Sequence, residues 1–356
     1  MKQEQLVLGI ETSCDDTSVA LLKHTKGKIP EILAVELFNQ EKILEKFGGI
    51  VPEIASRNHT EKLPYLLKDI LTQTNITLDK IDIIGVTTHP GLLGPLLTGI
   101  NAAKTLSLVN KTPIIPINHI YAHIEAIFLD QSSVNINYPY IGLAISGGHT
   151  AFFLVKNSSS FALLGTTIDD AAGEAFDKGG KILNLQYPAG RVIDQRSKLG
   201  DENYHKFPIG LQNQKNSTMS FSGLKTSLKD YVFKNSYIFD QENKDNFNNI
   251  CASYQKAIVG AISLKLKYAI IEAKSQTGLE TLPIVIGGGV ACNSQLRETI
   301  SSAYKNVYFV PAKYCTDNAA MIANLACRTP QNVLNFPMSL EIDAKSRIIN
   351  KKEFIR

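Results

Sequence analysis

The 356-residue chain is short of several features that would have fixed its class at once. No window approaches 18 uninterrupted apolar residues, so no segment reads as a membrane-spanning helix. The opening MKQEQLVLGIE has too short an apolar run for a secretory signal, and it lacks the arginine-rich, acid-poor character of an organelle transit helix. Five cysteines (14, 251, 292, 315, 327) are odd in number, scattered and without any CxxC pair. That pattern argues against a disulfide framework and a thiolate zinc site, and it fits a cytoplasmic protein in a reducing compartment. Charge of one sign is also scarce: 37 Lys and Arg face 33 Asp and Glu, a formal +4. Such a balance is compatible with a polyanionic partner without demanding one. The densest basic segment is the C-terminal KSRIINKKEFIR, with Lys345, Arg347, Lys351, Lys352 and Arg356; a solvated tail and a contact to nucleic acid phosphates are both open for it. What the chain does have is 44% hydrophobic content, enough for a full core, and a length that suits two lobes of about 150 residues each.

Two segments share one plan. Residues 6–22, LVLGIETSCDDTSVALL, read as an apolar strand, a small polar turn and a second apolar strand, and residues 141–155, IGLAISGGHTAFFLV, repeat it about 135 residues later. The recurrence predicts a duplicated domain. Small residues at such tips leave backbone N–H groups open to phosphate oxygens, and Ser or Thr hydroxyls add hydrogen bonds. A plain tight turn explains either hairpin taken alone.

Helical patterns alternate with short strands around these hairpins. Residues 52–72 read as a helix with Pro52 at its first turn, IDIIGVTT (81–88) as a buried strand, and TGINAAKTLSLV as a further helix. TIDDAAGEAFDKGGKIL reads as a helix behind an Asp-rich cap, ending or kinking at Gly179 and Gly180, which each cost about 1 kcal/mol in a helix interior. The polar stretches 201–220 and 233–249 read as surface loops or insertions. The class is α/β, with a first lobe over 1–135, a second with polar insertions over 136–330, and a C-terminal extension with the basic tail over 331–356.

His119 and His123, in INHIYAHIEAIF, stand four residues apart, a spacing that puts both imidazoles on one helical face within reach of one metal ion. The peptidase motif H-E-x-x-H would need glutamate at position 120, which is Ile120. One packed and one solvated histidine is the plainer alternative. Further on, TLPIVIGGGVACNSQLRETI sets three glycines between a strand and a helix with Asn293 at its N-cap, a turn that suits a nucleotide or merely close packing. In VYFVPAKYCTDNAAMIANLA, Asp317 either caps a helix or completes a His-His-Asp set with open coordination positions.

Taken in order, GIETSCDDTSVAL, GGIVPEIASRNH, NHIYAHIEA, ISGGHT, DDAAGEAFDK, FSGLKT, GGGVACN and CTDNAAMIA resemble the tRNA adenosine threonylcarbamoyltransferase family, the bacterial TsaD proteins and their relatives. The resemblance implies a duplicated actin-like ATPase fold (ASKHA, RNase H-like), two lobes with a central nucleotide and metal cleft. It implies that the threonylcarbamoyl group of threonylcarbamoyl-AMP passes to the exocyclic N6 amine of adenosine 37 in tRNAs reading codons that begin with A, with AMP as leaving group. Carried over residue by residue, the metal ligands are His119, His123 and Asp317, and the ion is iron, with zinc as the alternative. The substrate cradle is Ile145, Ser146, Gly147, Gly148 and His149 together with Asp177, Gly190, Asp194 and Asn293. Glu11 and Asp15, at the first hairpin tip, are the residues for catalysis, shaping the nucleotide site or activating the amine. Implied partners are tRNA, a TsaB-like inactive paralogue and a TsaE-like ATPase, with a separate synthase supplying the adenylate and no membrane involved. The chain departs from the family pattern at THPGLLGPLL, YPAGR and FDKGGK, which puts loop geometry and substrate affinity in question more than reaction type. Two other classes stand beside this reading: a metallopeptidase, against which Ile120 speaks, and an actin-like ATPase or sugar kinase, which has no use for the histidine pair.

Overall fold

A computed structural model of the chain describes residues 3–47, 49–240 and 244–346. In chain order it runs β1 (Glu4–Glu11), β2 (Thr17–Thr25), β3 (Glu31–Phe38), the single turn α1 (Glu41–Leu44), α2 (Pro52–Thr74), β4 (Ile83–His89), α3 (Leu93–Asn110), β5 (Ile114–Asn118) and α4 (His119–Glu125). Next come β6 (Tyr140–Ile145), β7 (Thr150–Asn157), β8 (Ser160–Thr166), α5 (Ala172–Ile182), α6 (Gly190–Ser197), α7 (Ser222–Lys234) and α8 (Lys244–Thr277). The chain closes with β9 (Ile284–Gly287), α9 (Ser294–Ala303), β10 (Val307–Phe309) and α10 (Ala319–Arg328). Two compact units result. The first takes residues up to Ile136, the short piece Asn157–Phe161 and everything from Lys313 onward; the second takes Asn137–Lys156 and Ala162–Ala312.

In the first unit the sheet order is β3-β2-β1-β4-β5, with β1 antiparallel to β2 and parallel to β4. Strand β1 is buried from Val7 to Glu11, and β4 from Ile83 to Thr88. Such continuous runs, rather than alternation, are what a sheet covered on both faces requires. Leu8, Ile10, Val19, Leu21, Ile84 and Val86 pack with Leu63 and Ile70 of α2 and with Ile100 of α3. The second unit repeats the plan: its order β10-β9-β6-β7-β8 is the first order read from the other edge, again with an antiparallel hairpin (β6, β7) and a parallel neighbour (β9). The duplication expected from the two hairpins is thus a duplication of whole sheets, and the α/β class holds with two units. Among the described residues no helix is long and apolar enough to cross a membrane.

Three local expectations fail, each for a tertiary reason. The second lobe does not run to residue 330, because α10 packs against β1, β2 and β4 and belongs to the first unit. Its approach is so close that a Cβ on Gly9 would sit 2.3 Å from the Ala319 carbonyl oxygen. Helix α5 does not end at Gly179 and Gly180 but continues to Ile182. Added Cβ atoms there would meet the Tyr254 ring at 2.4 Å and Ala189 Cβ at 2.0 Å, so the two glycines make room for neighbours instead of breaking the helix. The stretch 233–249 is not all loop, since the 34-residue α8 starts at Lys244. Of the basic tail, Arg347, Lys351, Lys352 and Arg356 lie outside the described residues.

Candidate functional site

Helix α4 follows β5 without a loop. Asn118 makes the corner: its side-chain oxygen accepts hydrogen bonds from the backbone N–H of Ile120 (2.9 Å) and Tyr121 (3.2 Å), a double N-cap that fixes where the helix starts. His119 and His123 are both buried on this helix, with edge-to-face rings and their Nε2 atoms 3.1 Å apart. Ile120, at the position of a peptidase base, is 3% exposed and part of the core. Asp317 lies just ahead of α10 and is not the cap of that helix. Asn318 caps it, accepting from the Met321 N–H at 3.0 Å, which leaves the Asp317 carboxylate to face the histidines. Its Oδ1 is 3.1 Å from His123 Nε2 and 3.6 Å from His119 Nε2.

Behind these three groups lies a buried ring of support. Glu11, at the end of β1, takes the Ser13 N–H on Oε1 (2.5 Å) and the Thr87 hydroxyl on Oε2 (2.6 Å). The same Oε2 is 3.0 Å from His119 Nδ1, with Ser13 Oγ 3.1 Å from that nitrogen. A carboxylate can only accept, so His119 carries its proton on Nδ1 and turns Nε2 toward Asp317 and His123. Burial alone would push the His119 imidazole down, but the Asp317 and Glu11 carboxylates outweigh it and raise it to about 9. Burial and repulsion by Asp317 raise Asp15 to about 6; the same two causes, with Asp15 added, raise Asp16 to about 9. The Cys14 thiol is pushed well up by burial and these carboxylates, which leaves it a poor nucleophile.

The tip that carries Asp15 and Asp16 is itself held by a residue outside the predicted set. His59 of α2 donates from Nε2 to the Cys14 carbonyl (3.0 Å) and accepts the Thr17 hydroxyl on Nδ1 (2.7 Å). Burial keeps this imidazole neutral by lowering its pKa. The GGIVPEIASRNH segment contained the signal, but nothing in sequence ties position 59 to positions 14 and 17.

The residues present fit a divalent cation. One nitrogen from each histidine and one Asp317 oxygen lie within 4.8 Å of one another. Their pair separations of 3.1 to 3.6 Å match three donors each about 2.0–2.2 Å from a common centre. Asp317 repels the charge of Glu11, Asp15 and Asp16, and Asp15 repels that of Asp16, an excess of negative charge that a cation offsets. Neutral imidazole and carboxylate donors suit iron, zinc and related ions.

In the second unit, Ile145–His149 form the β6–β7 tip. Ser146 N–H donates to the His149 carbonyl (2.8 Å) and His149 N–H to the Ser146 hydroxyl (3.2 Å), closing the turn. Gly147 and Gly148 are exposed, and a Cβ on either would meet nothing within 4 Å. Gly288, at φ +96°, passes so close that a Cβ would lie 2.4 Å from the Ile145 carbonyl oxygen. Asp177 accepts the Ala189 N–H at 2.8 Å and so sets the chain entering α6 at Gly190. Asp194 and Asn293 are joined through Gln255, a residue no sequence motif singled out. All nine predicted cradle residues are in this unit, whereas Glu11, Asp15, His119, His123 and Asp317 are all in the first.

Comparison with known proteins agrees over most of the chain. Residues 31–324 match the family model for TsaD, tRNA N6-adenosine threonylcarbamoyltransferase. A protein of that name from Thermosipho africanus is 46% identical over 322 residues, covering 89% of this chain and 92% of its own. One from Francisella tularensis subsp. novicida is 39% identical over 347 residues, covering 96% and 99%. The solved structure of YeaZ from Pseudomonas aeruginosa overlaps 45% of this chain and 64% of its own length at 15% identity and TM-score 0.32; the two-lobe layout is carried by the strand orders themselves.

Proposed function

This chain belongs to the TsaD family of tRNA N6-adenosine threonylcarbamoyltransferases, transferases of tRNA modification, and from that premise we propose how its residues divide the work. His119, His123 and Asp317 hold one divalent metal, iron by resemblance with zinc as the alternative, and the observation that carries this is the convergence of three donors within 3.1 to 3.6 Å. A metal bound there would polarise the carbamoyl carbonyl or orient the acyl phosphate. Glu11, fully buried with both oxygens engaged, does not reach a substrate. It fixes the His119 tautomer, so that Nε2 presents a lone pair once its proton is displaced.

The donor is threonylcarbamoyl-AMP. The N6 amine of adenosine 37 in tRNAs reading ANN codons attacks the carbamoyl carbon, a new C–N bond forms, the bond to the phosphate oxygen breaks and AMP departs. The adenine amine is a weak nucleophile because its lone pair is delocalised into the ring, so positioning and a nearby base are needed. Asp15, raised above the usual carboxylate range by burial and by repulsion from Asp317, is the carboxylate assigned to receive the amine's proton. The adenylate is held by the Ile145–His149 tip with Asp177, Gly190, Asp194 and Asn293; exposed glycines at 147 and 148 let phosphate oxygens reach backbone N–H groups. The tRNA is met through shape, phosphate contacts and a splayed anticodon-loop base. A TsaB-like paralogue, a TsaE-like ATPase and a separate synthase complete the system, in a cytoplasmic setting.

The experiment is a reconstitution of the full chain, its partners, synthetic threonylcarbamoyl-AMP and unmodified tRNA, with the nucleosides read by mass spectrometry. Wild-type protein is expected to form threonylcarbamoyladenosine and release AMP in equal amount. No modified nucleoside, or as much from a His119→Ala, His123→Ala double variant, would sink the proposal.

A further inference from the structure

We infer that Gln255, in the middle of α8, is a positioning residue that locks Asn293 and Asp194 into one ligand-facing unit; this rests on the reading of those two residues as adenylate contacts. The case comes from donor and acceptor accounting. Asn293 caps α9, its Oδ1 accepting the Leu296 N–H at 2.9 Å, so its other atom is the Nδ2 amide and can only donate. That donor meets Gln255 at 2.7 Å, which requires the facing Gln255 atom to be Oε1. Gln255 Nε2 is therefore turned the other way, and it donates to Asp194 Oδ1 at 3.1 Å. The same Asp194 oxygen accepts the Ser294 N–H (3.2 Å) and hydroxyl (2.8 Å). With Oδ1 fully used, Asp194 turns Oδ2 outward, where Lys198 Nζ stands at 3.8 Å.

Gln255 is 1% exposed and cannot itself touch a ligand. Its whole effect passes through its two neighbours, on α6 and at the mouth of α9. The preceding residue does the same for a third element, since the Tyr254 hydroxyl donates to the Ala175 carbonyl of α5, the helix that carries Asp177. One turn of α8 thus holds two of the cradle's side chains and the backbone of the helix that carries a third. The amide at position 255 fills both roles, since the site asks for an acceptor on one side and a donor on the other.

The test uses the full-length protein with its partners, two substitutions and a control. Gln255→Glu keeps the size and the accepting oxygen but puts a second carboxylate against Asp194; Gln255→Met keeps the volume and removes both links. AMP affinity is measured by calorimetry at a temperature where each variant is folded, and KM and kcat for threonylcarbamoyl-AMP are measured with tRNA. Expected is a rise of about tenfold or more in the AMP Kd and the adenylate KM for both variants, with kcat within about twofold. A lower melting temperature with unchanged Kd and KM would mean that Gln255 only supports the fold, and unchanged values throughout would equally overturn the inference. Asn293→Ala separates the two claims. If it binds AMP as well as wild type, the adenylate reading of Asn293 fails; if it binds poorly while the Gln255 variants bind normally, the inference about Gln255 fails alone.

Discussion

The two hairpin tips occupy the same place in two sheets of the same order, and their chemistry is opposite. The β1–β2 tip is acidic and largely buried, with Glu11, Asp15 and Asp16 set beside two buried histidines and Asp317. The β6–β7 tip has no carboxylate, and its two glycines are open to solvent. A duplicated scaffold therefore carries an acidic tip beside the candidate metal donors in one copy and a backbone-presenting tip in the other. The topology set where each tip stands; the four or five residues in each turn set what it can hold.

Substitutions can break this comparison in order of expected effect. Replacing both His119 and His123 by Ala should abolish the acidic tip's role, with transfer falling by at least about 100-fold in the reconstituted assay. On the other tip, Gly288→Ala forces a Cβ against the Ile145 carbonyl at a positive φ and should cost more than about 2 kcal/mol in denaturant unfolding. Gly147→Ala, with nothing within 4 Å of its Cβ, should change stability by less than about 0.5 kcal/mol while weakening AMP binding. Equal stability losses in the two glycine variants would contradict the distinction drawn between packing and ligand approach. Glu11→Gln is the conservative probe of the acidic tip, expected to weaken metal affinity by about 10- to 100-fold with the fold intact, as read by metal titration.

The smallest effect is in pH. In metal-free protein, His119 is raised from 6.5 to about 9, so its contribution is full below about pH 6.5 and is lost as pH climbs through 9. Asp15 and Asp16 are raised from 3.8 to about 6 and about 9, so the fold holds protons that the unfolded chain has released, and each withdraws stability as pH rises over that span. All three have one sign. The melting temperature of chelator-treated protein should fall between about pH 6.5 and 9, above the range where buried neutral histidines such as His59 act with the opposite sign, and the metal-loaded protein, whose cation offsets the carboxylates, should show a flatter profile. A metal-free profile that rises with pH would contradict the charge balance described for this tip.

Much of this was legible in sequence because local chemistry carried it. Two apolar runs around small polar turns are enough to mark both hairpins, and the residue types at 119, 123 and 317 are enough to suggest a donor set. What sequence could not supply was company at long range. Asp317 reads equally as a helix cap until Asn318 is seen to do that job. Glu11 reads as a residue that shapes the nucleotide site or activates the amine, and nothing in sequence shows that its oxygens meet Ser13, Thr87 and His119. Gly179 and Gly180 read as a helix end because the spacing does not show that the distant Tyr254 ring, and Ala189 beyond the next turn, need the space. The return of α10 to the first unit, and the reach of His59 and Gln255 to their partners, depend on packing that no spacing rule encodes.

The central claim is that one cation sits on His119, His123 and Asp317, and it is tested most directly by counting metal. Elemental analysis of purified full-length protein, dialysed to remove loosely held ions, should give about one divalent metal per wild-type chain and close to none for Asp317→Asn and for the double histidine variant, each folded by its melting profile. Equal metal content in wild type and both variants would contradict the account.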